Sequence, residues 1–275
     1  MALRIQLNLD KSLQENASAY YALGKKAKKK LEGVKKALEA TKQRMQRAMA
    51  EKEAGERRPK MARKRKKQWF EKFHWFLSSD GLLVIAGRDA RQNEAVVKKH
   101  MEDHDLYFHA EIVGAPHTVV KTEKKQAGEA TKREAAQFAA VFSKAWALKQ
   151  GHVDVYAVKP EQVSKKAPTG EAMGTGAFMI YGKREWFRKT RLEFAVGVKR
   201  EGECLAVLSG PETAVKAQSL AWAKLVLGED RKSEAAKKLK KQFEEKLAKQ
   251  GVEGEVSLDE LVAMLPSDNI RIEWP

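Results

Sequence analysis

Residues 81-GLLVIAGRDARQNEAVVKKHMEDHDLYFHAEIV-113 change period twice, and those two changes decide the fold class. Leu82, Leu83, Val84 and Ile85 form a short uninterrupted apolar run closed by Gly87, the pattern of a buried strand. Gln92 to Met101 then reads as a helix, and Asp105 to Val113 alternates as a second strand. The same mixture continues outward. A helix is expected over 127–148, strands over Val153–Val158, Phe178–Tyr181 and Leu192–Val198, and a further run over Leu205–Leu208. Strands interspersed with helices specify a mixed α/β domain within an α+β chain.

Upstream, residues 14–58 lack proline and are rich in Ala, Lys, Glu, Gln and Leu, which predicts one long helical segment. Its seam, Ala27, Leu31, Val34, Leu38, Thr41, Met45 and Ala48, steps by four and three in coiled-coil rhythm. The seam is thin, which fits a helical hairpin or an arm packing on another protein better than an autonomous dimer. Pro59 and the run Arg57, Arg58, Lys60, Arg63, Lys64, Arg65, Lys66 and Lys67 end that pattern. The aromatic cluster Trp69, Phe70, Phe73, His74, Trp75 and Phe76 follows at once, suiting a helix anchored in a core that presents cations to phosphate. Beyond Gly210-Pro211, helices over 213–226 and 231–249 and a strand at Ile270–Ile272 compose a small C-terminal α/β appendage. The expected divisions are a helical coiled-coil segment over 1–62, a central domain over 63–205 and an extension over 206–275.

The 275 residues carry 54 Lys and Arg against 37 Asp and Glu, a formal net charge of +17, whose natural counterpart is a polyanion such as nucleic acid, the ribosome or an acidic membrane. With 43% hydrophobic residues there is material for a core beneath that charge. The single cysteine, Cys204, rules out an intramolecular disulfide framework and a multi-cysteine zinc site, and reads as a small apolar side chain in a reducing compartment. The N-terminal MALRIQLNLDKSLQENA lacks the basic-then-apolar block of a signal peptide, and no stretch reaches about 18 uninterrupted apolar residues, so a cytoplasmic protein without membrane association is expected.

Several residues suit RNA. In GRDARQNE, Gly87 permits a tight strand exit and Arg88 can fork onto a phosphate, or pair internally with Asp89 or a glutamate. Asp89 can cap the next helix or orient Arg88. Asn93 offers donor and acceptor to a base edge or ribose, or bonds on the helix surface. Lys98 is a further candidate contact. His109 and His117 flank the Gly114-Ala115-Pro116 turn; hydrogen bonding or stacking on RNA, a structural role and a metal pair are all open, although no acidic-plus-histidine spacing supports a metal. Lys165, Lys166 and Thr169 sit in a Pro-Thr-Gly turn able to cradle a phosphate like a nest, or form a plain basic loop. Lys183, Arg184 and Trp186 interleave cation and aromatic on a strand-exit loop, which suits stacking on an unpaired base, or places Trp186 in the core. GxSxG, a Cys/His dyad, CxxC and a two-carboxylate pattern are all missing, so no catalytic role and no cofactor are expected. The enzymatic alternative is an RNA-processing nuclease or modifying activity using His109, His117 and Asp89.

Three blocks, WFEKFHWFLSSDGLLVIAGRDARQNE (69–94), DLYFHAEIVGAPHTVVK (105–121) and VSKKAPTGEAMGTGAFMIYGKREWF (163–187), together resemble the RNA-binding domain of the NFACT family, the RqcH-like ribosome quality-control factors. IQLNLDKSLQENASAYYALGKKAKKKLE (5–32) resembles the start of that family's middle coiled-coil region, and LSGPETAVKAQSLAWAKLVLGEDRKSEAAKKLK (208–240) an extension of its archaeal members. The family's N-terminal and helix-hairpin-helix modules have no counterpart in this sequence. The resemblance implies binding to tRNA and to rRNA of the large subunit during rescue of stalled nascent chains. A separate NFACT N-terminal chain is a candidate partner, and DNA is not expected to be one.

Overall fold

The computed structural model describes residues 5–56, 68–166, 173–202 and 204–275 and separates into two compact units, Met1–Met61 and Ala62–Pro275. In the first unit a single helix, α1 (Leu13–Glu56), runs without a break, so the expected helical segment forms as one rod rather than as a hairpin. A capping box starts it: the Glu15 carboxylate accepts from the Ser12 amide at 2.7 Å while the Ser12 hydroxyl accepts from the Glu15 amide at 3.3 Å. The Asn16 side chain ties the preceding turn down, accepting from the Asn8 amide and donating to the Asn8, Lys11 and Ser12 carbonyls. Leu31, Val34, Leu38 and Met45 of the seam are exposed. The side chain of Ala48, the basic run 57–67 and Thr169 lie outside the described residues.

The second unit is built in chain order from β1 (His74–Leu77), β2 (Leu83–Ala86), α2 (Ala90–Ala95), β3 (Leu106–Ala110), β4 (Thr118–Lys121), α3 (Glu129–Val141), α4 (Lys144–Ala147), β5 (His152–Val158), β6 (Val163–Ser164), β7 (Met179–Ile180), β8 (Glu185–Arg191), β9 (Phe194–Glu201), β10 (Cys204–Gly210), α5 (Glu212–Gln218), β11 (Ala221–Asp230), α6 (Lys232–Lys249), α7 (Leu258–Met264) and β12 (Ile270–Glu273). Strands β1-β2-β4-β3-β5-β8 form an antiparallel six-stranded sheet, β10-β9-β11-β12 an antiparallel four-stranded sheet, and β6-β7 a short ribbon. The α+β class expected from the sequence is what forms.

Helix α3 supplies a buried face of Ala135, Ala136, Phe138, Ala139 and Ala140 against the larger sheet, and Phe138 stands 4.7 Å from Phe76 and 6.0 Å from Phe194, so it joins both sheets. The sheets also meet edge to edge. Gly210 of β10 comes so close to Phe76 of β1 that a Cβ there would lie 3.2 Å from its ring, and Gln218 donates to the Leu77 carbonyl at 3.1 Å. Helix α6 buries Ala235, Ala236, Leu239, Phe243 and Leu247 on one face and turns most of its lysines outward. Burial of each Leu or Phe on that face contributes about 1.5–3 kcal/mol.

Four local expectations are corrected. The helix expected over 213–226 stops at Gln218, and β11 begins at Ala221, because Ala221, Ala223 and Leu225 alternate as buried residues with Trp222, Lys224 and Val226. The aromatic cluster is no helix: Trp69–Lys72 makes one 3-10 turn, and His74–Leu77 is a strand with Trp75 and Phe76 buried. The helix over 127–148 is broken after Val141, and Ser143 caps α4 through the Ala145 amide. Trp186 lies within strand β8, not on a loop leaving one.

Candidate nucleic-acid interface

The strand β2 exit and the start of α2 set the first part of the site. Asp89 caps α2, its Oδ1 accepting from the Gln92 amide at 2.8 Å, and the Gln92 side chain returns to accept from the Arg88 amide at 3.1 Å. The exposed Arg88 donates from its guanidinium to the Phe73 carbonyl at 2.9 Å, and partial burial lowers its pKa. Asn93 then reaches across to β4, where its Oδ1 accepts from the His117 amide at 3.0 Å.

His117 is buried beside β3. The Tyr107 hydroxyl lies 2.5 Å from its Nδ1 and the Gly176 carbonyl 2.8 Å from its Nε2. A carbonyl can only accept, so Nε2 carries the hydrogen and Nδ1 accepts from the phenol. Burial first, then the neighbouring His109, lower the His117 pKa to about 3. His109 is lowered to about 4, chiefly by burial, with backbone groups at Ala110 and Ala115 acting in the opposite sense. Both are neutral imidazoles at physiological pH, and both nitrogens of His117 are committed, so His117 has no lone pair to offer a metal. Among the described residues no group of three or more His, Cys, Asp or Glu could hold a metal ion.

Glycine is required at 176. Its φ of +77° and its approach to α2, where a Cβ would lie 2.6 Å from the Ala90 carbonyl oxygen, admit no side chain. That approach seats the Gly174–Phe178 segment over His117, with Phe178 edge-on to the imidazole at 5.2 Å. Glu94 accepts from the Gly176 amide at 2.9 Å and pairs with Lys98 at 2.6 Å and Lys165 at 3.3 Å. Lys98 above all, then the Gly176 amide, bring the Glu94 pKa to about 2. Lys165 also donates to the Gly174 and Ala177 carbonyls and stands 4.9 Å from the Phe178 ring centre, so its charge is spent inside this segment.

The result is a cavity of about 420 Å³ lined by Arg88, Asp89, Asn93, His109 and His117, together with His74 and Phe142. Five residues singled out from the sequence thus converge on one place. From it a row of rings crosses the sheet: His117 to His109 at 5.0 Å, His109 to Tyr156 at 5.9 Å and Tyr156 to Trp186 at 5.4 Å. The register dictates this row, since His109 opposes Tyr156 and Tyr156 opposes Trp186. Arg184 lies over Tyr156 and Arg188 lies 3.8 Å over Trp186 while pairing with Asp154 at 2.6 Å. Lys166 and Lys183 stand apart, exposed at opposite ends of the β6-β7 ribbon.

Sequence reasoning passed over Tyr156 and Phe142, and took His74 only as part of an aromatic cluster. The alternation of β5 pointed to Tyr156. His74 and Phe142 stack at 3.9 Å from elements distant in sequence, for which no local signal exists.

The sequence of the chain matches proteins already described. Residues 72–182 match the family model described as the NFACT protein RNA binding domain. The archaeal Rqc2 homolog aRqcH of Methanocaldococcus jannaschii is 40% identical over 182 residues, covering 66% of this chain and 27% of that protein. The ribosome quality control complex subunit NEMF homolog of Drosophila melanogaster is 37% identical over 199 residues, 70% of this chain and 20% of that protein. The human subunit NEMF is 36% identical over 176 residues, 62% of this chain and 16% of that protein. The chain therefore spans about a quarter or less of the length of these relatives. Over residues 72–182 it carries an RNA-binding domain of the NFACT family.

Proposed function

We propose that this chain is an RNA-binding factor of ribosome-associated quality control, one that holds tRNA and the rRNA of the large subunit while a stalled nascent chain is handled. The observation that carries the reading is the convergence of Arg88, Asp89, Asn93, His109 and His117 on one cavity within the segment matched to the RNA-binding family. The ring row ending at Trp186, with Arg184 and Arg188 laid over it, adds flat surfaces and cations of the kind that hold unpaired bases and backbone. In this reading the chain acts by binding, not by catalysis.

The test is co-sedimentation with purified large subunits and filter binding to tRNA across a salt series. The logarithm of affinity is expected to fall linearly with the logarithm of salt concentration. Arg88→Glu and Arg184→Glu are expected to weaken binding more than Lys238→Glu or Lys241→Glu on α6. Equal losses at all four positions, or no association with either RNA, sinks the reading.

A further inference from the structure

Many cations of the larger unit already hold a carboxylate. Lys98 and Lys165 share Glu94, Lys121 holds Asp105, Arg188 holds Asp154 and Lys224 holds Glu193. Arg88, Lys144 and Lys232 are among the described cations that hold none. Arg88 and Lys232 both act on the cavity residue His74, and Lys144 borders the cavity at Gly114. Arg88 lines the cavity, and Lys144 lays its side chain against Gly114, another lining residue, so that a Cβ there would meet its Cε at 2.7 Å. Lys232 opens α6 with its amide on Asp268 Oδ1 at 2.8 Å, and the Asp268 carbonyl accepts the indole hydrogen of Trp146, two positions after Lys144 in α4. Burial, then the charges of Arg88 and Lys232, hold the pKa of the cavity residue His74 well down. Burial and Arg88 likewise lower Lys232, with Asp268 opposing them. Like charges gathered where water is partly excluded repel, which makes the place complementary to an anion.

The remaining lining narrows the anion. Asp89 commits Oδ1 to the α2 cap and leaves Oδ2 to accept from a hydroxyl. Asn93 commits its oxygen to His117, leaving the two hydrogens of Nδ2 for an acceptor. The stacked pair His74 and Phe142, with Ala115, Pro116 and Phe178, offers a flat apolar wall. Inorganic phosphate would use the cations alone; a ribonucleotide would use everything. The volume, about 420 Å³, lies near the low end of the roughly 300–1,000 Å³ of small-molecule sites, suited to one nucleotide and too small for a duplex.

We propose that this cavity receives one unpaired ribonucleotide of an RNA chain, its phosphate among Arg88, Lys144 and Lys232, its ribose hydroxyls at Asp89, and its base on the apolar wall beside Asn93. The inference rests on the RNA-binding reading above and deepens it. It also gives the segment beyond residue 182 a part in recognition, because α6 supplies Lys232.

The test uses the full chain and two RNA hairpins with the same duplex, one blunt and one with a single unpaired 3′ nucleotide, compared by fluorescence anisotropy. The overhang is expected to tighten binding about tenfold. Lys232→Gln and the exposed Lys144→Gln are expected to erase that preference, while Lys232→Arg and Lys238→Gln keep it, with circular dichroism confirming that each variant is folded. Equal, salt-sensitive binding of both hairpins overturns the pocket and leaves the RNA-binding reading in place. Failure to bind either hairpin overturns both. Binding of adenosine monophosphate without any RNA binding also overturns the proposal, by making the ligand a free nucleotide.

Discussion

The guanidinium carbon of Arg184 lies 4.5 Å from the ring centre of Tyr156, roofing the middle of the ring row that begins at His117. It also stands 5.8 Å from the Trp186 ring centre, and Arg184 Nη1 lies 4.0 Å from Glu111 Oε1, so one side chain links the row to the charge around it.

Arg184→Ala should uncover Tyr156 at small cost to the fold, about 0.5–1 kcal/mol for a cation–π contact of this exposure. RNA affinity should fall several-fold, and Arg184→Lys should restore it only in part because an ammonium does not stack. Urea denaturation and RNA titration of the two variants measure this; full restoration by lysine would reduce the role of Arg184 to charge.

Tyr107→Phe removes the donor to His117 Nδ1 and leaves a buried acceptor without its partner. The expected loss of stability is about 1–3 kcal/mol. An unchanged denaturation midpoint would show that the bond contributes nothing.

The two buried histidines tie stability to pH. Their folded pKa values, about 3 for His117 and about 4 for His109, lie below the unfolded value near 6.5. Between those limits the unfolded chain binds more protons, so their contribution is complete above about pH 6.5 and drains away as pH falls toward 4 and 3. Denaturation midpoints at pH 7.5, 6 and 5 should decline in that order, and the His109 and His117 imidazole resonances of the folded protein should stay unshifted from pH 7.5 to 5. Titration of either ring near pH 6.5 would contradict its burial.

Gly176→Ala forces a side chain into the Ala90 carbonyl at a backbone angle that alanine resists. We expect about 1–3 kcal/mol of destabilisation or displacement of the 174–178 segment, read as loss of the His117 Nε2 bond in the imidazole spectrum. A variant as stable as the parent would show that this segment yields freely.

Much of the larger sheet could be read directly. The apolar run Leu82–Ile85, the alternation around Tyr107 and the run Val153–Val158 each announce their strands, and Asp89 announces the α2 cap. β11 hid because Ala221 and Ala223 are good helix formers, and only pairing with β9 makes their alternation decisive. β1 hid because the aromatic cluster around it has no clean period. Proximity hid more. Lys165 looks like Lys166 in the sequence, yet one is consumed by Glu94 and two carbonyls while the other faces water. Nothing in the lysine-rich stretch 232–249 sets Lys232 apart from its neighbours; only the approach of α6 to Arg88 does.

The seam between β1 and β10 has a practical result. With Phe76 backed by Gly210 and the Leu77 carbonyl held by Gln218, the smaller sheet is the lid on a strand that would otherwise present raw backbone and aromatic surface. A protein shortened to the matched segment 72–182 would keep that strand and lose its cover, inviting sticky, edge-to-edge association. A soluble fragment therefore has to carry both sheets.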